Sequence, residues 1–314
     1  MKKISFIGGG TLGSTTAYTL GMKGLCDQIV IYDIAHELAL HHAMDIGQAL
    51  CKSGYATITA ADSPEDIAGS DVVYIASSFP MAFGDKKYSV YGDFLTQLQE
   101  TAEILRKYAP DSLIITLSNP VDIINTMLYK LSGKPARHFV GFSINDSVRL
   151  DMAIAARLGI EPRTVTSYCI GEHGMTKVPV LSHVKIGDDV RSFSDTEAEE
   201  IQNYTKDWWM SFLKLGINRT AGWSSASFSS LYVEQIVGRY TEPLEASVIL
   251  SGQYGCEDIS LGTPAVIDEN GVKTIIELDL NEREKGLFRI SKDAVKADID
   301  RLIQMWQERE NTDA

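Results

Sequence analysis

The stretch Lys3-Ile4-Ser5-Phe6-Ile7-Gly8-Gly9-Gly10-Thr11-Leu12-Gly13 decides the fold. A short apolar run passes directly into Gly-x-Gly-x-x-Gly, and helix-type sequence follows over residues 11–22. In such a strand–turn–helix unit, Gly8 permits the tight turn and Gly10 lets the backbone approach a diphosphate. Gly13 lets helix and strand pack closely. The free N–H groups and positive dipole end of the helix favour anions. Twenty residues past Gly13, Asp33 closes a second apolar run, Ile29-Val30-Ile31-Tyr32. A carboxylate there accepts hydrogen bonds from ribose hydroxyls and repels a 2′-phosphate, and no Arg follows it before His36, so NAD is expected over NADP. A glycine-rich turn and a helix-capping Asp account for each piece singly, but not for the spacing.

Outward from this unit, short apolar runs alternate with helical patterns. Residues 4–7, 28–32, 56–58, 72–75, 113–117 and 138–141 read as strands, and 11–22, 35–51, 88–108 and 122–131 as helices. That alternation predicts a parallel, doubly wound sheet with helices on both faces. Past Gly141 the pattern changes. Residues 146–158, 195–215, 224–239 and 281–310 read as helices, and 165–170, 178–184, 244–251 and 265–268 as shorter strands. The expectation is an α/β chain with an N-terminal Rossmann domain over residues 1–143 and a C-terminal mixed α+β substrate domain over 144–314.

The whole chain has 314 residues, a formal charge of −13, 44% hydrophobic and 23% charged residues, a balance typical of soluble globular proteins. The charge argues against a nucleic-acid groove or an anionic membrane surface, both of which need clustered Lys and Arg. No apolar run is long enough to span a bilayer, and the N-terminus lacks the features of a signal peptide. Cys26, Cys51, Cys169 and Cys256 are scattered without a Cys-x-x-Cys pair, which fits structural thiols in a reducing cytoplasm and predicts no zinc site.

A second cluster carries chemistry. His173 lies in Gly171-Glu172-His173-Gly174, 27 residues after Asp146 in Asn145-Asp146-Ser147-Val148-Arg149. Glycines on both sides leave room for a ligand to approach the ring. A carboxylate partner fixes an imidazole tautomer and stabilises the imidazolium, so His173 with Asp146 can move a proton. Arg149, three residues on and nearly on the same helical face, has the planar fork that grips a carboxylate in two bonds. Singly, Asp146 reads as a helix cap and Arg149 as a surface charge. Beside a dinucleotide fingerprint they point to hydride and proton exchange on a hydroxy acid.

With these motifs in order, the chain resembles the L-lactate/malate dehydrogenases nearly end to end. The resemblance rests on Gly8–Gly13, Asp33, His42-Ala43-Met44-Asp45, Ser118-Asn119-Pro120-Val121-Asp122, the Asp146/Arg149 pair and Gly171–Gly174. It implies His173 and Asp146 as the catalytic pair, Arg149 as the substrate carboxylate clamp, and Asn119 near the nicotinamide ribose and substrate. The cofactor set implied is Gly8, Gly10, Thr11, Leu12, Gly13, Asp33, Ala76, Ser77 and Asn119. The Gly-Glu-His-Gly form looks more like the lactate branch. The resemblance also implies a homodimer or homotetramer, formed through the helices near residues 35–51 and 224–239.

A mobile loop that closes over substrate in this family falls here at residues 78–87, and several positions depart from the family pattern. Lys87 stands where the family has the Arg that polarises the carbonyl, Phe94 where it usually has Asn, and Asn145 where Leu precedes the catalytic Asp. Met81 occupies the specificity position, where malate enzymes have Arg and lactate enzymes usually Gln. Ala221 occupies a second specificity position, Thr in many lactate enzymes. Lys87 keeps a charge and loses the fork. Met81 cannot pair with a second carboxylate, and with Ala221 it suggests a roomier apolar pocket, similar to the 2-hydroxyisocaproate dehydrogenase branch. Three other readings stand beside this one. They are a malate dehydrogenase, an NAD-dependent glycosidase (whose Cys/His metal cluster has no counterpart here) and an NAD-binding paralogue that no longer turns over.

Overall fold

A computed structural model describes residues 1–80, 90–217 and 220–313. Parallel strands β1 (Lys3–Ile7), β2 (Gln28–Tyr32), β3 (Thr57–Ala60), β4 (Val72–Ile75), β5 (Leu113–Thr116) and β6 (Phe139–Gly141) lie in the order β3-β2-β1-β4-β5-β6. The chain winds outward from β1 in one direction and from β4 in the other. Their carboxyl ends therefore flank the crevice at which doubly wound sheets bind ligands. The strands are nearly continuous apolar runs because helices cover both faces, and Val72, Val73, Tyr74 and Ile75 of β4 are all buried. Phe6 stacks on Tyr74 across β1 and β4, with ring centroids 4.8 Å apart.

Helices α1 (Thr11–Lys23), α2 (His36–Ser53), α3 (Tyr91–Tyr108) and α4 (Val121–Ser132) make the crossovers. α1 ends on Gly24 in the left-handed conformation, φ 61°, which lets Leu25 N–H return to the Leu20 carbonyl.

The second half adds strands to the same sheet and carries a smaller sheet of its own. β10 (Leu244–Ser251) pairs antiparallel with β6, and β11 (Glu257–Asp268) and β12 (Gly271–Ile275) follow, so one sheet of nine strands crosses the molecule. β12 and residues 257–264, the first two-thirds of β11, did not read as strands. Glu257 and Asp258 are exposed and Gly262 and Pro264 interrupt the pattern, while β12 is a short edge strand with no continuous apolar run. A separate antiparallel sheet, β7 (Val165–Ile170), β8 (Val178–Ile186) and β9 (Asp189–Val190), packs against α5 (Asn145–Leu158) and α6 (Asp195–Lys214). Leu150, Ile154, Val165, Val184 and Ile201 form the small core between them.

Two further helices tie the halves together. α7 (Gly222–Ile236) lies along α1, where Lys23 Nζ meets Glu234 at 2.8 Å and Arg239 donates to the Lys23 carbonyl at 3.0 Å. α8 (Glu282–Asp313) opens with a reciprocal cap, Asn281 N–H to Glu284 at 3.0 Å and Glu284 N–H to Asn281 Oδ1 at 2.9 Å. Near its far end, Arg309 donates to the Gly92 carbonyl at 2.9 Å, docking α8 on α3.

Candidate active site

Gly8 sits at φ 107°, and a Cβ there would lie 2.3 Å from Ser77 N. A Cβ on Gly13 would lie 2.1 Å from the Gly8 carbonyl oxygen. Both contacts are with backbone, so the turn between β1 and α1 closes only with glycine at these points. Nothing lies within 4 Å of a Cβ position on Gly10, so this face is open. The first turn of α1 has no side-chain cap and no acidic residue, and its N–H groups face the same opening.

Asp33 receives the Gly9 N–H at 2.7 Å on Oδ2 and the Ala35 N–H at 2.8 Å on Oδ1. Each carboxylate oxygen keeps a second lone pair for a ribose hydroxyl. Ala76 and Ser77 follow β4 directly, and Ser118 Oγ donates to the Ser77 carbonyl at 2.6 Å. Exposed Asn119 follows β5 along the same edge. The sequence-expected cofactor residues Gly8, Gly10, Thr11, Leu12, Gly13, Asp33, Ala76, Ser77 and Asn119 thus line the carboxyl ends of β1, β2, β4 and β5. An open glycine turn, an uncapped helix start and an anchored carboxylate fit a dinucleotide.

Three long-range contacts fix the His173 loop. Gly171, at φ 84°, exchanges two backbone hydrogen bonds with Gly262 of β11, at 2.9 and 2.7 Å. A Cβ on Gly171 would lie 2.4 Å from Ser291 Oγ, which receives the Glu172 N–H at 2.6 Å. Asp122 of α4 receives the His173 N–H at 2.7 Å on Oδ2, while Ser247 donates to its Oδ1. The backbone of the loop is thereby held from α4, β11 and α8 at once.

The side chains then converge on Asp146, 3% exposed at the start of α5. His173 Nδ1 lies 2.8 Å from Oδ2. Arg149 Nη1 lies 2.9 Å from Oδ1. Lys177 Nζ reaches the same oxygen at 2.9 Å. Burial disfavours ionised Asp146, but His173, Lys177 and Arg149 outweigh it and hold the carboxyl well below its usual range. Burial likewise opposes protonated His173, and Asp146, with Asp122 and Glu245 behind it, more than compensates. The ring pKa is raised.

Two other buried acids surround this centre. Burial pushes Asp122 up to about 7, against the Ser247 hydroxyl and His173. Burial and the Asp146 charge push Glu245 up to about 7, and Ser147 Oγ donates to it at 2.7 Å. The Cys169 thiol is pushed well above its ordinary value by burial and by Asp146 and Glu245, so it stays protonated.

The departures from the family pattern also find places. Phe94 is buried and meets Phe79 edge to face, with centroids 5.6 Å apart. Asn145 Nδ2 donates to Ser225 Oγ at 3.2 Å, joining the first turns of α5 and α7. A Cβ on Gly222 would lie 3.0 Å from Thr11 Cγ2, so Ala221, the residue before it, stands beside the first turn of α1. Met81 and Lys87 lie outside the described residues. Sequence reasoning gave no role to Asp122, Lys177, Glu245 or Ser291. Asp122 ends the quoted Ser-Asn-Pro-Val-Asp motif, and the other three carry no local signal. Among the described residues, no group of His, Cys, Asp and Glu is placed to hold a metal ion.

Comparison with known proteins gives the same picture. The lactate/malate dehydrogenase NAD-binding domain matches residues 2–141, and the α/β C-terminal domain of the same family matches residues 145–305. A malate dehydrogenase from Pelagibacter ubique is 32% identical over 306 residues, covering 95% of this chain and 96% of that protein. An L-lactate dehydrogenase 3 from Bacillus thuringiensis subsp. konkukian is 29% identical, covering 94% of this chain and 96% of that protein. The structure of the Cryptosporidium parvum lactate dehydrogenase, complexed with lactic acid and nicotinamide adenine dinucleotide, superposes with a TM-score of 0.88. It has 29% identity and covers 96% of this chain and 98% of that one. The malate dehydrogenase of the same organism superposes with a TM-score of 0.89 at 27% identity, covering 96% of this chain and 99% of that one. The chain belongs to the lactate/malate dehydrogenase family, NAD-dependent oxidoreductases of hydroxy acids.

Proposed function

We propose that this dehydrogenase interconverts a small L-2-hydroxy acid and its 2-oxo acid, and that its pocket favours an apolar side chain larger than methyl. The observation that carries the chemistry is the Asp146 carboxylate. It has His173 at 2.8 Å on one oxygen and Arg149 at 2.9 Å on the other. In reduction, protonated His173 donates from Nε2 to the substrate carbonyl oxygen as hydride arrives at C2. In oxidation, neutral His173 takes the hydroxyl proton as hydride leaves C2. Asp146 orients the ring through Nδ1 and stabilises the imidazolium. Arg149 clamps the substrate carboxylate, and Lys87 polarises the carbonyl. Gly8, Gly10, Thr11, Leu12 and Gly13 hold the cofactor diphosphate, Asp33 its adenosine ribose, and Ala76, Ser77 and Asn119 the nicotinamide half. When bound, the cofactor supplies or accepts the hydride at its nicotinamide.

The side-chain preference rests on Met81 and Ala221, neither of which can pair with a second carboxylate. The malate reading is favoured instead by the name of the Pelagibacter relative. Steady-state kinetics with pyruvate, oxaloacetate, 2-oxoisocaproate and phenylpyruvate separate the two. The expected result is higher kcat/KM for an acid with a large apolar side chain than for oxaloacetate, and oxaloacetate winning by a wide margin overturns it. NADH binding with no turnover on any acid would leave the binding-only paralogue.

A homodimer or homotetramer is part of the same proposal, with α2 and α7 as contact helices. Leu38, Leu40 and Met44 expose apolar surface on α2, consistent with that arrangement. No described helix is long and apolar enough to cross a membrane, and a cytoplasmic location is proposed on the unpaired cysteines.

A further inference from the structure

Lys177 lies in the loop between β7 and β8, and Arg149 lies on α5, yet both reach Asp146 Oδ1 at 2.9 Å. Two cations thus share one buried carboxylate oxygen. One of them has a second task, because Arg149 is the proposed grip on the substrate carboxylate. Once that carboxylate neutralises Arg149, Asp146 at 3% exposure would face desolvation with less opposing charge. An ammonium suits the remaining place, since its rotatable donors hold a single oxygen without needing a fork.

We infer that Lys177 is a positioning residue that holds Asp146 Oδ1 while Arg149 turns to the substrate. This rests on the proposed roles of His173, Asp146 and Arg149. Lys177 acts through Asp146 on a crowded electrostatic site. The charged or titratable groups facing it are Asp146 and Arg149 from α5, Asp122 from α4, Glu245 from β10, Cys169 from β7 and Glu172 from the loop. Removing the Lys177 charge strengthens the field of Asp146 at His173, so the imidazolium holds its proton more tightly. It also leaves Arg149 the single described cation on Oδ1, which ties it to Asp146 and weakens its hold on substrate.

The test compares the parent with Lys177→Met, Lys177→Gln and Lys177→Arg, using NADH oxidation with the best 2-oxo acid over a pH series and NADH affinity by fluorescence titration. With Met or Gln, the alkaline limb of reduction moves up by about one pH unit. KM for the 2-oxo acid rises about tenfold, the loss of one charge-assisted contact. NADH affinity stays at the parent value, and Arg restores both the limb and KM. If Met fails to bind NADH, the Gln and Arg variants carry the same comparison. Profiles and KM values that superimpose on the parent overturn the inference alone, provided His173→Gln lowers kcat by about 10³-fold. A His173→Gln variant that retains parental turnover overturns the site assignment and this inference with it.

Discussion

At His173, burial and charge pull in opposite directions, and charge wins because Asp146 sits 2.8 Å away with its own carboxyl held ionised. The sign of the pH dependence follows. On the proposed role, reduction needs protonated His173, so its kcat/KM falls as pH rises through a value above the ordinary 6.5. Oxidation needs neutral His173, so its kcat/KM rises across the same range. Rate profiles in both directions check this, and a reduction limb below pH 6.5 contradicts it. His173→Gln removes the proton carrier and should cost about 10³-fold in kcat while NADH affinity is unchanged. Arg149→Lys keeps the charge but loses the fork. It should raise KM for the 2-oxo acid roughly 10²-fold, with a smaller effect on kcat.

At the scale of elements, the site is the meeting point of loops fixed from a distance. The turn between β1 and α1 has no room for a side chain at Gly13. Gly13→Val should drive α1 off the Gly8 carbonyl and weaken NADH binding at least about tenfold, read by fluorescence titration. Ser291→Ala leaves the Glu172 N–H without its 2.6 Å acceptor. It should cost about 1–2 kcal/mol in denaturant unfolding and lower kcat with NADH affinity retained. These two residues also show what was legible in the sequence. The glycine fingerprint is local, because strand, turn and helix follow one another within the first turn of contacts, and its geometry can be read from spacing alone. Asp33 was legible for the same reason. Ser291 reaches back 119 residues and Asp122 reaches forward 51 to the His173 loop. No periodicity records such contacts, so neither role could be read from the chain. Lys177 carried no signal in the sequence, because nothing in its neighbourhood names Asp146 as its partner. β12 and the start of β11 escaped because edge position and pairing to β10 define them, and apolar pattern does not.

Across the whole molecule, the sheet does not stop where the alternating strand–helix pattern stops. β10, β11 and β12 extend the parallel strands, and β11 also bridges to Gly171 beside His173. The crevice between β1 and β4 and the His173 loop are therefore braced on one continuous scaffold. A single thermal transition follows, and NADH at about 100 times its Kd should raise it as a unit by roughly 4–8 °C. Two transitions, of which NADH moves only one, would show that the halves unfold separately. The most direct test of the whole account is a crystal structure of the complex with NADH and a non-reducible 2-oxo acid isostere such as oxamate. The expected result places the isostere's carboxylate on the Arg149 fork and its carbonyl oxygen within hydrogen-bond distance of His173 Nε2, over the nicotinamide ring. An isostere bound away from both side chains, or a nicotinamide pointing out of the crevice between β1 and β4, would contradict it.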